Sequence, residues 1–151
     1  MPMAKLAAFL DANHVKYVRI KHSKAYTAME VAQSAHIQGK ELAKTVMVNL
    51  DGRMAMAVVP GSRKVVLDLL RKGTGAQSVQ LATEQEFQDL FPDCEVGAMP
   101  PFGNLYGMDV YVDPRLAEDT EIAFNAGSHT ELVKMTYQDF ERLAQPKRVA
   151  M

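Results

Sequence analysis

The clearest alternation of apolar and polar positions runs through ELAKTVMVNLDGRMAMAVVPG, residues 41–61, where two valine- and methionine-rich runs flank Asp51-Gly52. An Asp-Gly pair between apolar runs favours a two-residue type I′ turn, because both central residues need positive φ. The pattern predicts a β-hairpin ended by Pro60-Gly61. Upstream, Met3, Leu6 and Leu10 fall at helical spacing and predict an opening amphipathic helix. VKYVRIKHS, residues 15–23, then reads as a strand leading into a loop. Thr27 and Glu30 have the spacing of a capping box and open a short helix with Val31 and Ala35 on its apolar side. After the hairpin, Ser62 is placed to cap a helix that turns Val66, Leu69 and Leu70 inward and ends near Gly73. SVQLAT, residues 78–83, predicts a strand. Thr83 and Glu86 repeat the capping-box spacing ahead of a helix bearing Phe87 and Leu90 on one side.

Residues 92–107, PDCEVGAMPPFGNLYG, break the periodicity with three glycines and three prolines and predict a shaped loop. MDVYVD (108–113), EIAFNAG (121–127) and TELVKMT (130–136) follow as strands, the last two forming a hairpin around Gly127-Ser128-His129. YQDFERLA, residues 137–144, closes the chain with a helix that offers Tyr137, Phe140 and Leu143 to the core. Six or seven strands, interspersed with four or five helices and including two hairpins, predict an α+β fold. Its expected form is a mixed, largely antiparallel six- to seven-stranded sheet surrounded by helices, in a single domain spanning 1–151.

Composition narrows the class. A chain of 151 residues, 48% hydrophobic and 23% charged, is long enough to bury a core and too apolar for disorder. No apolar run approaches the roughly 18 residues of a membrane span, and the first fifteen residues do not read as a signal peptide. Cys94 stands alone, which excludes an internal disulfide and makes a reducing cytoplasm the expected setting. The net charge of −1 hides an asymmetry. Residues 1–72 carry twelve Lys and Arg against five Asp and Glu, whereas residues 73–151 carry five against thirteen. If this survives folding, one face can attract a polyanion while the molecule stays near neutral.

Three segments offer chemistry. Alternation in AKTVMVNL sets Lys44 on the side of Val46, Val48 and Leu50, and an ammonium entering apolar surroundings needs a partner, a cavity mouth or a lowered pKa. With Met47 making the opposite side apolar too, the alternative is a lysine whose stem packs while its head reaches water. GAMPPFG, residues 97–103, can hold a rigid wall with exposed amides beside a pocket, with Phe102 as a flat apolar surface, or can be a structural turn. Gly127-Ser128-His129 combines convergent N–H groups, a hydroxyl and an imidazole, or is an ordinary hairpin loop. Ser128 lacks the G-x-S-x-G elbow of an α/β-hydrolase. His14, His22, His36 and His129 lack metal-ligand spacing, and one cysteine cannot build a structural zinc site. RKGTGA lacks the signature of a phosphate-binding P-loop. Arg63, Lys64, Arg71 and Lys72 flank a helix, where Asp68 is spaced to pair with Lys64 and Lys72.

Taken in order, these pieces resemble the YbaK/ProX family of trans-editing aminoacyl-tRNA deacylases, related to the editing domain inserted in bacterial prolyl-tRNA synthetases. The resemblance runs over residues 15–145 and rests on HSKAYTAMEVA, LAKTVMV, VVPGSRKVVLDLLRK, GAMPPFG, VYVDPRL and NAGSHTEL. It implies a mixed sheet wrapped by helices, with a pocket for the aminoacylated 3′ end of tRNA. It also implies hydrolysis, by a free-standing editor, of the ester between a small wrong amino acid (alanine, serine, threonine or cysteine) and the terminal ribose. By resemblance, Lys44 is the essential pocket lysine, with Ser128 and His129 beside it. Gly97, Pro101, Phe102 and Gly103 form one wall, Gly127 belongs to the second loop, and His22 and Thr27 complete the rim. Arg63, Lys64, Arg71 and Lys72 are the candidates for contact with the tRNA body. The implied partner is a mischarged aminoacyl-tRNA, with a synthetase or elongation factor as a further candidate and no membrane, and the implied chemistry requires no metal or organic cofactor. Two rivals keep the same pocket: a binding module without turnover, and a hydrolase of small free esters or amides.

Overall fold

The computed structural model describes residues 4–25 and 27–151; Met3, expected on the first helix, lies outside them. Five α-helices and eight strands are described: α1 (Ala4–Ala12), β1 (Val18–Lys21), α2 (Ala28–Ser34), β2 (Ala43–Leu50), β3 (Arg53–Pro60), α3 (Leu67–Thr74), β4 (Val79–Leu81), α4 (Glu84–Phe87), β5 (Asp109–Val112), β6 (Glu121–Ser128), β7 (Glu131–Thr136), α5 (Tyr137–Ala144) and β8 (Lys147–Arg148). The class is α+β, as the patterning predicts. The strands divide between two sheets, however. β1-β7-β6 is antiparallel throughout; β4-β2-β3-β5-β8 is antiparallel across β4, β2 and β3 and parallel from β3 through β5 to β8. Among the described residues a single parallel bridge, Leu42 to Ala123, links them.

The division follows from which faces are apolar. Met47 of β2, Met56 and Val58 of β3, and Phe124 and Ala126 of β6 point into one core between the sheets. Val48, Leu50, Ala57 and Val59, on the opposite side of the β2–β3 hairpin, pack against Leu70 of α3 and the C-terminal Val149 and Met151. Strands covered on both faces read as continuous apolar runs, which is why β2 and β3 show little polar alternation. On the far side of the small sheet, Ala123 and Leu132 pack on Val31 and Ala32 of α2.

Local signals account for most boundaries. Asp51 and Gly52 both have positive φ, 50° and 83°, as a type I′ turn requires. The Asp51 carboxylate also accepts the N–H groups of Gln77 and Ser78. Thr83 and Glu86 form the reciprocal capping box, whereas Thr27 accepts the Glu30 N–H and gives its own hydroxyl proton to the Glu30 carboxylate. Three expectations need correction. Ser62 caps nothing: α3 starts at Leu67, after Val66. Val66 and Leu69 are exposed rather than inward: Val66 precedes the helix, and so short a helix buries only a narrow stripe, here Leu70. And α3 runs through Gly73 to Thr74, because a side chain at 73 would collide with Val149 while Gly75 supplies the left-handed cap, φ 76°.

Phe102 is the hub of the inter-sheet core. Its ring meets Phe9, Phe124 and Phe140 edge-on at centroid distances of 5.8, 5.6 and 5.5 Å. Such contacts add to the burial of a whole aromatic side chain. Phe102→Ala should therefore lower the unfolding free energy by about 3–5 kcal/mol, read from the urea midpoint. A loss under 1 kcal/mol would mean that this core repacks freely.

Candidate active site

The outer edge of β2 changes partner along its length. Val48 to Leu50 pair with β4, and the Met47 carbonyl accepts the Ala82 N–H at 2.9 Å; at the other end Leu42 bridges to β6. Alternate residues of a strand aim their backbone groups at the same edge, so the N–H and C=O of Thr45 face the gap between these two partners. The gap is a cavity of about 290 Å³. Ala28, Met47, Phe87 and Met99 are among its apolar lining residues, and Lys44, Thr45 and Asn125 line it as well. The Thr45 Oγ1 and Asn125 Oδ1 atoms are buried and meet no hydrogen-bond partner among the described residues.

Lys44 follows the α3 face of the sheet with Val46, but at the start of the strand it extends past the helix. Its Nζ donates to the Arg63 carbonyl at 2.6 Å, fixing the amine against the 61–63 turn. Burial holds the ammonium below the usual lysine range, and the Lys64 charge pushes it further the same way. An ammonium has three protons; the Arg63 bond uses one and leaves two directed elsewhere.

The two glycine-bearing segments are joined to each other. Gly127 donates to the Ala98 carbonyl and accepts from the Glu95 N–H, both at 2.8 Å. His129 lies against the same segment: its N–H reaches Glu95 Oε2 at 3.2 Å, and its Nε2 lies 2.8 Å from the Val96 carbonyl. A carbonyl only accepts, so that Nε2 carries a proton. Gly97, left-handed at φ 87°, lines the cavity, and its N–H points at the Met99 thioether, a weak acceptor. The loop from His22 to Ala25 is stitched on by His22 N–H to the Thr130 carbonyl and Ala25 N–H to the His129 carbonyl.

Residues 22–143 match the model of the aminoacyl-tRNA editing domain. The chain belongs to that family. It is 30% identical over 150 residues to the multifunctional Ser/Thr-tRNA deacylase ProXp-y of Escherichia coli (strain K12), covering 96% of this chain and 89% of the relative. Two solved structures share the fold at 20% identity. One, described as a candidate trans-editing enzyme for prolyl-tRNA synthetase, superposes with TM-score 0.83 over 99% of this chain and 97% of its own. The other, hypothetical protein APE2540, does so with TM-score 0.84 over 96% and 98%.

Within this editing domain the structure brings together Lys44, Gly97 and, through Gly97, Gly127 and His129. Other candidates sit elsewhere. Phe102 is no pocket surface: it is wholly buried in the aromatic core. Pro101 is buried with it, and Gly103 is required by the close approach of the Met108 carbonyl and Val110, so the wall narrows to Gly97 and Met99. Ser128 ends β6; its hydroxyl lies 3.3 Å from the Thr130 hydroxyl and accepts the Thr130 N–H. Thr27 caps α2 and His22 lies against the Ser23 carbonyl, and neither lines the cavity. Arg63 and Lys64 flank Lys44, but Arg71 and Lys72 are held by Asp68 on α3 and do not line the cavity. Thr45 and Asn125 went unnoticed in the sequence, although Asn125 is a carboxamide inside the apolar run IAFNAG, the kind of interruption that marks a site.

Two further features fall outside this cavity. A larger hollow, about 540 Å³, opens beside Asp51, Gly75 and Tyr111, and no candidate residue lines it. Cys94 lies between Asp93 and Tyr106, and burial pushes its thiol up to about 11, unsuited to a nucleophile. Gly97→Ala would force a side chain into a left-handed conformation and should lower stability by about 1–2 kcal/mol. An unchanged urea midpoint would contradict the positive φ at this position.

Proposed function

We propose that the whole chain acts as a free-standing aminoacyl-tRNA deacylase, clearing a small mischarged amino acid from tRNA by ester hydrolysis. The observation that carries this reading is the half-buried Lys44, which lines one cavity together with Gly97. Membership of the editing-domain family and the likeness to a Ser/Thr-tRNA deacylase along nearly the whole chain support it. Among the described residues no helix is long and apolar enough to cross a membrane, and the proposed substrate, charged tRNA, supports a cytoplasmic setting.

In the proposed reaction the ester carbonyl lies between Lys44 and Gly97. The ammonium, fixed by Arg63, steers the carbonyl or the terminal phosphate with its two remaining protons, and the Gly97 N–H can leave its weak sulfur acceptor for a developing oxyanion. Water attacks, held by the neighbouring ribose hydroxyl; as the tetrahedral intermediate collapses, the proton the water gives up passes through that hydroxyl to the departing ribose oxygen, and the free amino acid and tRNA result. An ester already activated by its ribose needs positioning more than a protein nucleophile. Ser128, engaged with Thr130, is assigned a supporting role, and His129 secures the loop that carries Gly97. Arg63 and Lys64 approach the phosphates next to the 3′ end.

Lys44→Ala should reduce deacylation of seryl- or threonyl-tRNA at least about 100-fold, without lowering the thermal midpoint, since a cation is lifted from a partly dry site. Full residual activity would end the assignment. A generic small ester, assayed in parallel, should be hydrolysed poorly by the wild-type protein. Binding of uncharged tRNA should weaken with salt because phosphate contacts release counterions. The log–log salt slope should shrink by about one in Arg63→Ala or Lys64→Ala; a slope equal to wild type in both would remove these residues from the tRNA interface.

A further inference from the structure

We infer that a second hollow, joined to the Lys44 amine through Arg63, seats the nucleotide that precedes the esterified one, and that Glu118 and Asp119 in it read the amino group of that nucleotide's base. This rests on the deacylase reading above and adds the register in which the tRNA end lies.

The hollow is built by the end of VYVDPRL. Just past β5, Asp113 donates its N–H to the Val58 carbonyl and so stays at the exit of β3. Its carboxylate, 1% exposed, accepts the Arg115 N–H at 2.9 Å and holds the Arg115 guanidinium at 2.6 Å. Pro114 opens a short 3-10 turn, Pro114–Glu118, anchored by the buried Leu116. Arg115, Glu118 and Asp119 then line a hollow of about 260 Å³ together with Lys40, Ser62 and Arg63.

Two glycines set this hollow beside the candidate site. A side chain at position 61 would meet Leu42 at 3.1 Å and the Gly39 carbonyl at 3.3 Å, and one at 39 would meet the Met29 sulfur at 3.2 Å. The turns at 39–41 and 61–63 are therefore in contact, and the Gly61 N–H donates to the Leu42 carbonyl at 2.7 Å. Lys40 stands on one turn, Ser62 and Arg63 on the other. The Arg63 carbonyl also takes the Lys44 amine at 2.6 Å, so a single residue connects the hollow to the cation that meets the ester.

Opposite charges that share a hollow can pair, yet most of these do not. Asp113 occupies Arg115, whereas Lys40, Arg63, Glu118 and Asp119 form no ion pair among the described residues. Burial raises the Asp119 carboxyl and the Lys40 charge opposes it, so these two groups sense each other without bonding. Separate cations and acceptors match a ligand that carries both an anion and hydrogen-bond donors. Free phosphate would meet two carboxylates. A nucleotide satisfies both sets: its phosphate goes to Arg63 and Lys40, and its base to the carboxylates, which accept from the N4 amino group of cytosine and repel the O4 of uracil. Strand order selects the nucleotide. With the ester in the cavity and the terminal phosphate at Lys44, the next nucleoside along reaches the hollow, and in the CCA end of tRNA it is a cytidine.

The test measures binding of the full-length protein to uncharged acceptor-stem RNA hairpins. These end in CCA, in CUA, or in CC followed by purine riboside, which lacks the adenine amino group. The wild-type protein should bind the CCA end about fivefold or more tighter than CUA, and the purine-riboside end as tightly as CCA. Asp119→Asn, whose amide can also donate to uracil O4, should abolish that preference, and Glu118→Gln should weaken it if Asp119→Asn does not fold. Lys40→Ala should weaken all three RNAs alike and lower the log–log salt slope by about one. If the carboxylates only repel the backbone, Asp119→Asn binds every RNA more tightly, and the reader is overturned. Folded carboxylate variants that keep the wild-type preference overturn it too, as does a preference that follows the terminal base. Hydrolysis of seryl-tRNA by the wild-type protein, followed in parallel, separates the two readings. Turnover without a base preference removes the subsite alone; a base preference without turnover keeps the subsite and ends the deacylase reading.

Discussion

The candidate site depends on one break in hydrogen bonding: the outer edge of β2 is covered by β6 at its beginning and by β4 at its end, with a gap at Thr45. Closing that gap would make one continuous sheet and leave no cavity. The break persists because β2 is covered on both faces. Its Met47 side belongs to the core between the sheets and its Val48 side to the core under α3. Neither sheet can swing to close the edge without exposing apolar surface, at a cost of roughly 25 cal/mol per Å².

Lys44 exploits the same break. A lysine in the middle of β2 would carry its charge under α3, where only a strong partner could hold it. At the second residue of the strand it extends to the Arg63 carbonyl, remaining half-buried and charged with its proton held less firmly than usual. In the proposed reaction an approaching carbonyl or phosphate supplies an acceptor for the two ammonium protons that the Arg63 carbonyl does not take. The lining thus favours a substrate over water before any bond changes.

Much of this was legible in the sequence, because it is encoded locally. The Asp51-Gly52 turn, the Thr83–Glu86 box and the order of seven strands follow from short-range rules, and Lys44 was visible as a cation in an apolar run. What escaped depends on distant packing. Alternation gives the face of a strand but not its sheet, so the division into two sheets was hidden, as was β8, whose Lys147-Arg148 pair has no apolar face to signal a strand. GAMPPFG looked like a wall from its rigidity. Rigidity serves equally to plug a core, and only the rings of Phe9, Phe124 and Phe140 around Phe102 distinguish the two. Thr45 and Asn125 escaped because a buried polar atom is informative only once its neighbours are known to leave it unmatched.

The adjacent serine and histidine illustrate the same point at the level of chemistry. A hydrolase dyad needs the imidazole to take the hydroxyl proton through a free ring nitrogen. Here the Ser128 oxygen is shared with Thr130, and His129 Nε2 holds its proton against the Val96 carbonyl. That bond, with the two between Gly127 and the 95–98 segment, fixes the one stretch of backbone whose glycine amide lines the cavity. The imidazole then contributes geometry: it keeps a left-handed glycine at the lip, where a weakly held N–H can meet an oxyanion. An enzyme arranged this way has its catalytic power in preorganised donors around a cation, and the hydroxyl beside the histidine is spent on closing the hairpin.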